Sequence, residues 1–301
     1  MSDLVLITGT SSGIGLATAI ACADRGFRVI ATMRNLERRE ALDRAVLDRA
    51  VLNRAAGDCD IELEQLDVTS DDAGEKIREL LLKFGPIYGL VNNAGIAVGG
   101  AFEEQSERDV IDQIGTNLLG AMGVTRALMP SMRASGRGRI VNVSGISGLI
   151  AFPGLSVYAA SKYALEGFSE GLRYEVERFG VEVCLVEPGT HKTPIFFGNQ
   201  RRGELVDREG PYGDFNERLE SLVMKAAESA PGPEVVAGKI AELLSSTAPP
   251  FRTLIGGEAK TMAALRRLVP DALFAGAMRR YMGLGSIGEG DGSGRGGQGR
   301  M

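Results

Sequence analysis

Short runs rich in Val, Ile and Leu recur along the first two thirds of the chain, and longer stretches with helical patterning separate them. The runs are nearly continuously apolar rather than alternating, which is typical of strands covered by helices on both faces. Repeated strand–helix alternation with right-handed crossovers predicts an α/β fold built on a Rossmann-type doubly wound parallel sheet. The predicted strands are Leu4–Thr8, Arg28–Thr32, Ile61–Leu66, Ile87–Asn92, Arg139–Ser144 and Val181–Glu187.

The rest of the chain predicts additions to this sheet rather than a second large domain. We expect a single domain over residues 1–258, with a lid of mixed polar and apolar residues at about 190–230. A C-terminal helical extension follows at 259–282 and is interrupted at Pro270. Nearly every second residue of 283–301 is Gly, which predicts a disordered tail.

A pentapeptide repeat lies between the second and third predicted strands, at residues 42–56. Its motif, Leu-Asp-Arg-Ala-Val, consists mostly of good helix formers, and a period of five residues matches no known solenoid. We interpret it as an ordinary surface helix lengthened by local duplication.

Composition excludes several classes of function. The net charge of −5 argues against nucleic-acid binding, which needs a clustered basic surface. Met1 to Asp3 lead straight into the first apolar run, and no apolar stretch is long enough to span a bilayer, so the sequence favours a cytoplasmic protein without stable membrane insertion. Three scattered cysteines and a single histidine predict neither disulfides nor a metal site.

A glycine-bearing turn, Thr8–Gly15, follows the first predicted strand with the spacing Gly-x-x-x-Gly-x-Gly. Glycines let the backbone turn tightly and approach a pyrophosphate, whose charge is met by the N-terminus of a helix beginning near Ile14. A glycine cluster alone also marks ordinary turns. Here it stands between a strand and a helix, which is the context that a dinucleotide motif requires.

With this spacing, and with the order of the motifs after it, the chain resembles the short-chain dehydrogenase/reductase family over about four fifths of its length. The resemblance implies an oxidoreductase acting on CH–OH or C=O groups with a nicotinamide cofactor, assembled as a homodimer or homotetramer. The segment Ala31–Asn35 and the C-terminal extension are similar to the branch with 17β-hydroxysteroid and retinol dehydrogenases. The motifs shared with the family are the glycine turn, Asp67-Val68, Asn92-Asn93-Ala94-Gly95, Asn117, Ser144, Tyr158-x-x-x-Lys162 and Pro188-Gly189.

The choice between NAD and NADP can be read at the end of the second strand. Thr32-Met33-Arg34 lacks the acidic residue that would accept a hydrogen bond from the ribose 2′-hydroxyl of NAD. Arg34 instead places a cation where the 2′-phosphate of NADP would lie, so the sequence favours NADP(H). The alternative is an Arg34 that is simply solvated at a helix start. The full set of predicted cofactor-binding residues is Gly9, Ser11, Ser12, Gly13, Ile14, Gly15, Arg34, Asp67, Val68, Asn93, Ala94, Gly95, Tyr158, Lys162, Pro188, Gly189 and Thr193.

Tyr158 and Lys162 are four residues apart in the predicted helix Ser156–Phe179, so they project from the same face. Carbonyl reduction needs a proton donor at oxygen while hydride arrives at carbon. We expect Lys162 and the oxidised cofactor to lower the pKa of Tyr158 from about 10. Ser144 ends the fifth strand and could hold the substrate oxygen, and by resemblance Asn117 positions a water that links Lys162 to solvent.

Apolar residues in the lid and after Ser144 predict a pocket for a bulky, lipophilic ketone, aldehyde or alcohol. Steroid, retinoid, fatty and polyketide substrates all remain open. His191 lies between Gly189 and Thr193 and is expected to be structural or part of the lid. The predicted pocket residues are Leu149, Ile150, Phe152, Ile195, Phe196, Phe197, Tyr212 and Phe215.

Two other functions fit the same fold. A non-catalytic NADP(H)-sensing protein is disfavoured by the intact set of Ser144, Tyr158 and Lys162. An enzyme that isomerises or dehydrates a nucleotide sugar usually has a longer substrate segment than the chain after Pro188 provides. The basic pairs Arg266-Arg267 and Arg279-Arg280 would suit a membrane-surface helix, but packing over the pocket or onto another subunit is favoured.

Overall fold

A computed structural model of the chain describes residues 2–52, 60–193, 195, 201–281 and 283. Seven parallel strands form one sheet in the order β3-β2-β1-β4-β6-β7-β9, which confirms the predicted α/β fold. The strands of this sheet are β1 Leu4–Thr8, β2 Arg28–Met33, β3 Ile61–Gln65, β4 Gly89–Asn92, β6 Gly138–Val143, β7 Val181–Pro188 and β9 Arg252–Ile255. A separate short ladder pairs β5, Val98–Gly99, with β8, Arg201–Arg202.

The helices within the described residues cover the sheet on both faces, as the continuous apolar runs predict. One apolar core packs α1 (Gly13–Asp24), α2 (Glu40–Leu52) and α8 (Glu234–Ser245) against the sheet. The opposite core packs α3 (Ala73–Phe84), α5 (Ala121–Ser135) and α6 (Ser156–Val176). The remaining helices are α4 Glu107–Ile114, α7 Gly213–Glu228, α9 Gly257–Leu268 and α10 Asp271–Tyr281.

The strand order reverses between β1 and β4, which are neighbours in the sheet although two strands separate them in the chain. The helices after these two strands therefore leave in opposite directions, and a crevice opens at the carboxyl edge. Open α/β sheets bind their ligands at such a point. The parallel register brings Thr8 beside Thr32 and Asn92 beside Asn142 at this edge.

Most predicted element boundaries agree with the structure to within two residues. The helix predicted over Ser156–Phe179, α6, ends at Val176 and is followed by a tight 3₁₀ turn, Glu177–Phe179. The C-terminal extension forms two helices, α9 and α10, that separate at Pro270 as expected. The end of the pentapeptide repeat, Phe196, Phe197 and the tail from residue 284 lie outside the described residues.

Two acidic residues before and within α4 tie down part of the predicted lid. Asp109 Oδ2 accepts a hydrogen bond from the Glu204 backbone at 2.9 Å. The buried Glu104 carboxylate accepts from the Asp207 backbone at 3.3 Å and from the Asn216 amide at 2.6 Å. These hydrogen bonds thus hold the segment before α7 and the first turn of α7 against α4 and the residues that precede it.

No helix among the described residues is long and apolar enough to cross a membrane.

Candidate active site

A cavity of about 680 Å³ opens at the carboxyl edge of the sheet, at the point where the strand order reverses. Every residue predicted to be catalytic or cofactor-binding lines it, except Gly15 and Asn117. The sequence motifs, which are spread from Gly9 to Thr193, therefore meet at one place. Contributions that the sequence analysis missed include Asn35, Arg38, Ile96, Thr116 and Thr190.

The glycine turn packs directly on the loop that follows β4. Gly9 has a φ of +73°, and a Cβ added there would lie 2.8 Å from the Ala94 Cα. A Cβ on Gly15 would lie 2.2 Å from the Gly9 carbonyl oxygen and 2.4 Å from the Asn93 Nδ2. Gly15 thus closes the turn from behind rather than facing the cavity, and both positions require glycine.

Thr8, which the sequence analysis did not single out, is buried at the end of β1 and fixes this arrangement. Its Oγ1 accepts hydrogen bonds from the backbone N–H groups of Asn93 and Ala94, both at 3.0 Å. The Asn93 amide in return donates to the carbonyl oxygens of Thr8 and Gly9, at 2.9 and 3.0 Å. Asn93 lines the cavity, but its amide group serves mainly to hold the turn.

At the other end of the cavity, two exposed arginines follow β2. Arg34 and Arg38 both line the cavity, and neither has a carboxylate partner within the described part of the chain. Arg39 differs, because its guanidinium pairs with Asp43 at 2.7 Å. Glu37 donates its backbone N–H to the side chain of Asn35 and does not line the cavity. A phosphate in this region would face two free cations.

Two further predicted contacts lie beside these arginines. Asp67 Oδ1 accepts hydrogen bonds from the backbone and the hydroxyl of Thr69, at 2.9 and 2.7 Å, which fixes its carboxylate at the cavity wall. Val68 packs so closely on Gly120 that a Cβ there would lie 2.6 Å from a Val68 methyl group. Both residues line the cavity.

Ser144, Tyr158 and Lys162 converge on the cavity from the end of β6 and from α6. Ser144 follows β6 directly, and its hydroxyl is buried without a hydrogen-bond partner. The Lys162 ammonium donates to the Val143 carbonyl at 2.8 Å and lies 5.7 Å from the centre of the Tyr158 ring. The α-helical spacing of four residues brings the phenol and the ammonium to the same wall, as predicted.

Burial dominates the electrostatics of this pair. Although Tyr158 borders the open cavity, removal from water raises its pKa to about 12. Burial also lowers the pKa of Lys162 to about 8, because the negative charge of Glu166 offsets only part of the desolvation cost. Desolvation is thus the cause of the Tyr158 shift, and the expectation that Lys162 and the oxidised cofactor together lower this pKa stays a prediction.

Asn117 lies outside the cavity lining, in a π-helical segment, Gly115–Gly120, between α4 and α5. Its Oδ1 accepts from the Ile96 backbone at 2.8 Å, and its Nδ2 donates to the Ile96 carbonyl at 2.9 Å and to the Ser161 hydroxyl at 3.0 Å. Ser161 in turn donates to the Tyr158 carbonyl at 2.7 Å. Both Nδ2 hydrogens are thus used in joining the loop after β4 to α6, so a water would have to contact the main chain of Asn117 or the second lone pair of Oδ1.

The segment after β7 closes the site next to Ser144. Gly189 is fixed by donating its backbone N–H to the Ile255 carbonyl at 2.9 Å. The buried His191 donates from Nδ1 to the Gly189 carbonyl at 3.0 Å, and its Nε2 is buried without a partner. His191 therefore has the expected structural contact, and it also borders the cavity together with Thr193.

One side of the cavity is apolar, but it is built differently from the prediction. Tyr212 and Phe215 do not line it: the Tyr212 hydroxyl donates to Glu103 at 2.8 Å on the outside, and the Phe215 ring packs edge-on against Tyr212. Leu149 and Ile150 are also absent from the lining. The wall comes instead from one face of α7, from α9 and α10, and from the loop before α6. Its apolar residues are Phe152, Leu155, Ile195, Leu219, Leu222, Val223, Ala226, Met262 and Tyr281.

The model of the short chain dehydrogenase family matches residues 3–202. The chain belongs to this family.

It is an oxidoreductase, and relatives align over most of its length. The uncharacterized oxidoreductase YusZ of Bacillus subtilis is 36% identical, over 93% of this chain and 98% of the relative. The 3-ketodihydrosphingosine reductase of Bacteroides thetaiotaomicron is 31% identical, over 94% and 98%. Retinol dehydrogenase 8 of Bos taurus is 32% identical, over 88% and 85%.

Solved structures agree with the fold. A short-chain dehydrogenase from Streptomyces avermitilis is 33% identical with a TM-score of 0.75, and the match covers 95% of this chain and 99% of that one. A family member from Burkholderia phymatum, in complex with NAD, is 25% identical with a TM-score of 0.72, over 89% and 93%. A metagenomic member in complex with NADP is 26% identical with a TM-score of 0.65, over 84% and 96%.

Proposed function

We propose that this protein interconverts a lipophilic ketone or aldehyde and its alcohol with NADP(H), using Tyr158 as the general acid and base. The observation that carries this proposal is the convergence of three groups on one cavity wall: the Tyr158 phenol, the unpartnered Ser144 hydroxyl and the buried Lys162 ammonium. The glycine turn lines the same cavity. The proposed proton donor, Tyr158, and the proposed nucleotide-binding turn therefore line the same cavity.

The residues present fit a nicotinamide dinucleotide. The glycine turn leaves no room for side chains, and the N-terminus of α1 follows it, with the hydroxyls of Ser11 and Ser12 lining the cavity. The cations of Arg34 and Arg38 suit the 2′-phosphate of NADP, and the segment that carries them contributes no carboxylate to the cavity lining that would repel it. When bound, this cofactor supplies or accepts the hydride.

The side chains then divide the remaining work. At pH 7 a phenol with a pKa of about 12 is protonated, so Tyr158 is ready to donate its proton to a carbonyl oxygen. Ser144 can hold that oxygen with its free hydroxyl. Lys162, with a pKa of about 8, is still charged at pH 7 and would stabilise the phenolate that the proton transfer leaves behind.

The apolar wall supports a lipophilic substrate. Four residues of α7, namely Leu219, Leu222, Val223 and Ala226, present a continuous apolar surface to the cavity. The names of two relatives, a 3-ketodihydrosphingosine reductase and a retinol dehydrogenase, also refer to lipophilic molecules. Steroid, retinoid, fatty and polyketide carbonyl compounds all fit a wall of this kind.

The test is NADPH oxidation across a panel of lipophilic ketones and aldehydes, with NADH as the comparison cofactor. We expect turnover with NADPH, and loss of at least about 100-fold in kcat for Tyr158→Phe with NADPH binding retained, since general acid catalysis contributes about 10²–10⁴. A wild-type protein that binds NADPH yet reduces no compound of the panel would refute the proposal and favour a cofactor-sensing protein.

A further inference from the structure

A carboxylic acid, Glu166, lies directly behind Ser144. It stands four residues after Lys162 on α6, so the two share a helix face, and only 5% of Glu166 is exposed. Ser144 Oγ and Glu166 Oε1 are both buried without a hydrogen-bond partner, and they border the same small space beside Gly148. A Cβ added to Gly148 would lie 2.5 Å from Ser144 Oγ and 3.0 Å from Glu166 Oε1.

The charges around Glu166 are unbalanced. Arg252 on β9 contacts Glu166 Oε2, binds Glu187 of β7 at 2.9 Å and binds Glu170 of α6 at 2.9 Å. The Glu187 side chain is completely buried, whereas Glu170 is half exposed. The guanidinium of Arg252 thus contacts three carboxyl groups. The ammonium of Lys162 also interacts electrostatically with Glu166.

This imbalance favours one retained proton. Burial raises the pKa of Glu166 to about 7, and the charge of Glu187 acts in the same direction. The hydroxyl of Ser144 and the guanidinium of Arg252 oppose the rise, because each stabilises the ionised carboxylate. The direction is clear because two buried carboxyl groups that share one arginine resist being ionised together.

We propose that Glu166 is a positioning residue whose protonation state sets which way the Ser144 hydroxyl points. The protonated carboxyl donates its hydrogen to Ser144 Oγ, so the serine hydrogen remains available for the substrate oxygen. The ionised carboxylate accepts a hydrogen bond from the serine hydroxyl. Only the lone pairs of Oγ then face the substrate. No covalent bond of the substrate changes in this step, because the only events are loss of a proton to water and rotation of a hydroxyl.

The proposal rests on the proposed function, in which Ser144 donates to the developing negative charge on the substrate oxygen. It predicts that kcat/KM for carbonyl reduction falls at least fivefold as pH rises through a midpoint near 7. The separate ionisation of Lys162, with a pKa of about 8, follows at higher pH.

Glu166→Gln tests the inference in the full-length enzyme. The amide N–H of glutamine can donate to Ser144 Oγ at every pH, so we expect this variant to keep the low-pH activity and to lose the step near pH 7, with the step near pH 8 unchanged. Glu166→Leu offers no donor and should lower kcat at every pH with a smaller effect on KM. Glu170→Gln is the matched control, since it removes a partner of the same Arg252 from the exposed side, and it should keep the wild-type profile.

Two outcomes would overturn the inference while leaving the proposed function intact: a step near pH 7 that persists in Glu166→Gln, or a loss in that variant that is equal at every pH. A second readout needs no turnover. In protein labelled with ¹³C at the glutamate carboxyl groups, NMR titration of Glu166, assigned by its absence from Glu166→Gln, should show a higher midpoint in Ser144→Ala, because the hydroxyl lowers the pKa. An unchanged midpoint would overturn the inference whether or not any carbonyl compound is reduced.

Discussion

Replacing Arg34 and Arg38 together by alanine should weaken binding of NADPH far more than binding of NADH. Both side chains line the cavity after β2 and lack an acidic partner within the described chain, so either guanidinium is available to a phosphate. The two cofactors differ only in the 2′-phosphate. A contact to this group is therefore measured by the difference between their dissociation constants.

The magnitude follows from the exposure of the two arginines. Coulomb's law gives about 1 kcal/mol for two unit charges 4 Å apart in water, and hydrogen bonds to charged groups contribute about 1.5–3 kcal/mol. Because both guanidinium groups are exposed, we take about 1.4 kcal/mol for each, which is tenfold in Kd. The Kd of the double variant for NADPH should therefore be about 100-fold higher than that of the wild type. Its Kd for NADH should rise by less than about threefold.

Fluorescence of the reduced nicotinamide can be followed directly, since the chain contains no Trp that would absorb or emit nearby. Titrations should use one fixed ionic strength, because salt screens exposed charges. Arg39→Ala is the matched control: Arg39 is exposed on the same turn, pairs with Asp43 and does not line the cavity. Equal losses for NADPH and NADH, or a loss of the same size in Arg39→Ala, would refute the assignment of these arginines to the 2′-phosphate.

Three further predictions concern the turn, the lysine and the apolar wall. Gly15→Ala places a Cβ 2.2 Å from the Gly9 carbonyl oxygen, so it should lower the free energy of unfolding, measured by thermal unfolding, by about 1–3 kcal/mol and also weaken NADPH binding. The control is Gly238→Ala, inside α8 with open space around it, which should raise the free energy of unfolding by up to about 1 kcal/mol. The pKa of Lys162 falls from 10.5 to about 8 on folding, so between these pH values the folded state binds fewer protons than the unfolded state. The free energy of unfolding of the wild type, measured in urea relative to that of Lys162→Met, should therefore rise from pH 8 to pH 10.5. A difference in unfolding free energy that stays constant or falls over this range would contradict the shift. Leu222→Gln should raise KM for a long-chain ketone about fivefold, because about 1 kcal/mol of apolar contact is lost, and should leave KM for a small ketone unchanged. Equal effects on the KM values of the two ketones would place Leu222 outside the substrate region.

The sequence predicted the fold and the motif-bearing part of the site because both depend on local patterns. Continuous apolar runs predict buried parallel strands, and a spacing of four residues puts Tyr158 and Lys162 on one helix face. Arg38 could have been found as a second cation, since it follows Arg34 by four residues in the segment after β2. The strand ends also had to meet at one edge, because parallel strands run in the same direction.

Other features depend on contacts between distant segments, which no local pattern reveals. Thr8 acts on Asn93 across 85 residues, and the pairing of Arg252 with Glu166 spans 86. Tyr212 was predicted in the pocket from its apolar ring, but the carboxylate of Glu103 takes its hydroxyl on the outside. The burial that raises the pKa of Tyr158 could not be read from the sequence, and the lowering expected from Lys162 together with the oxidised cofactor stays a prediction.

The side chain of Asn117 has a consequence for how the site tolerates change. Through its bonds to Ile96 and to Ser161, one amide spans the gap between the loop after β4 and the helix that carries Tyr158. Hydrogen-bond lengths, which vary by a few tenths of an ångström, therefore set the distance between this loop and α6, rather than the looser fit of side chains between helices. We therefore expect substitutions on the outer faces of α4 and α6 to leave the distance between this loop and α6 unchanged.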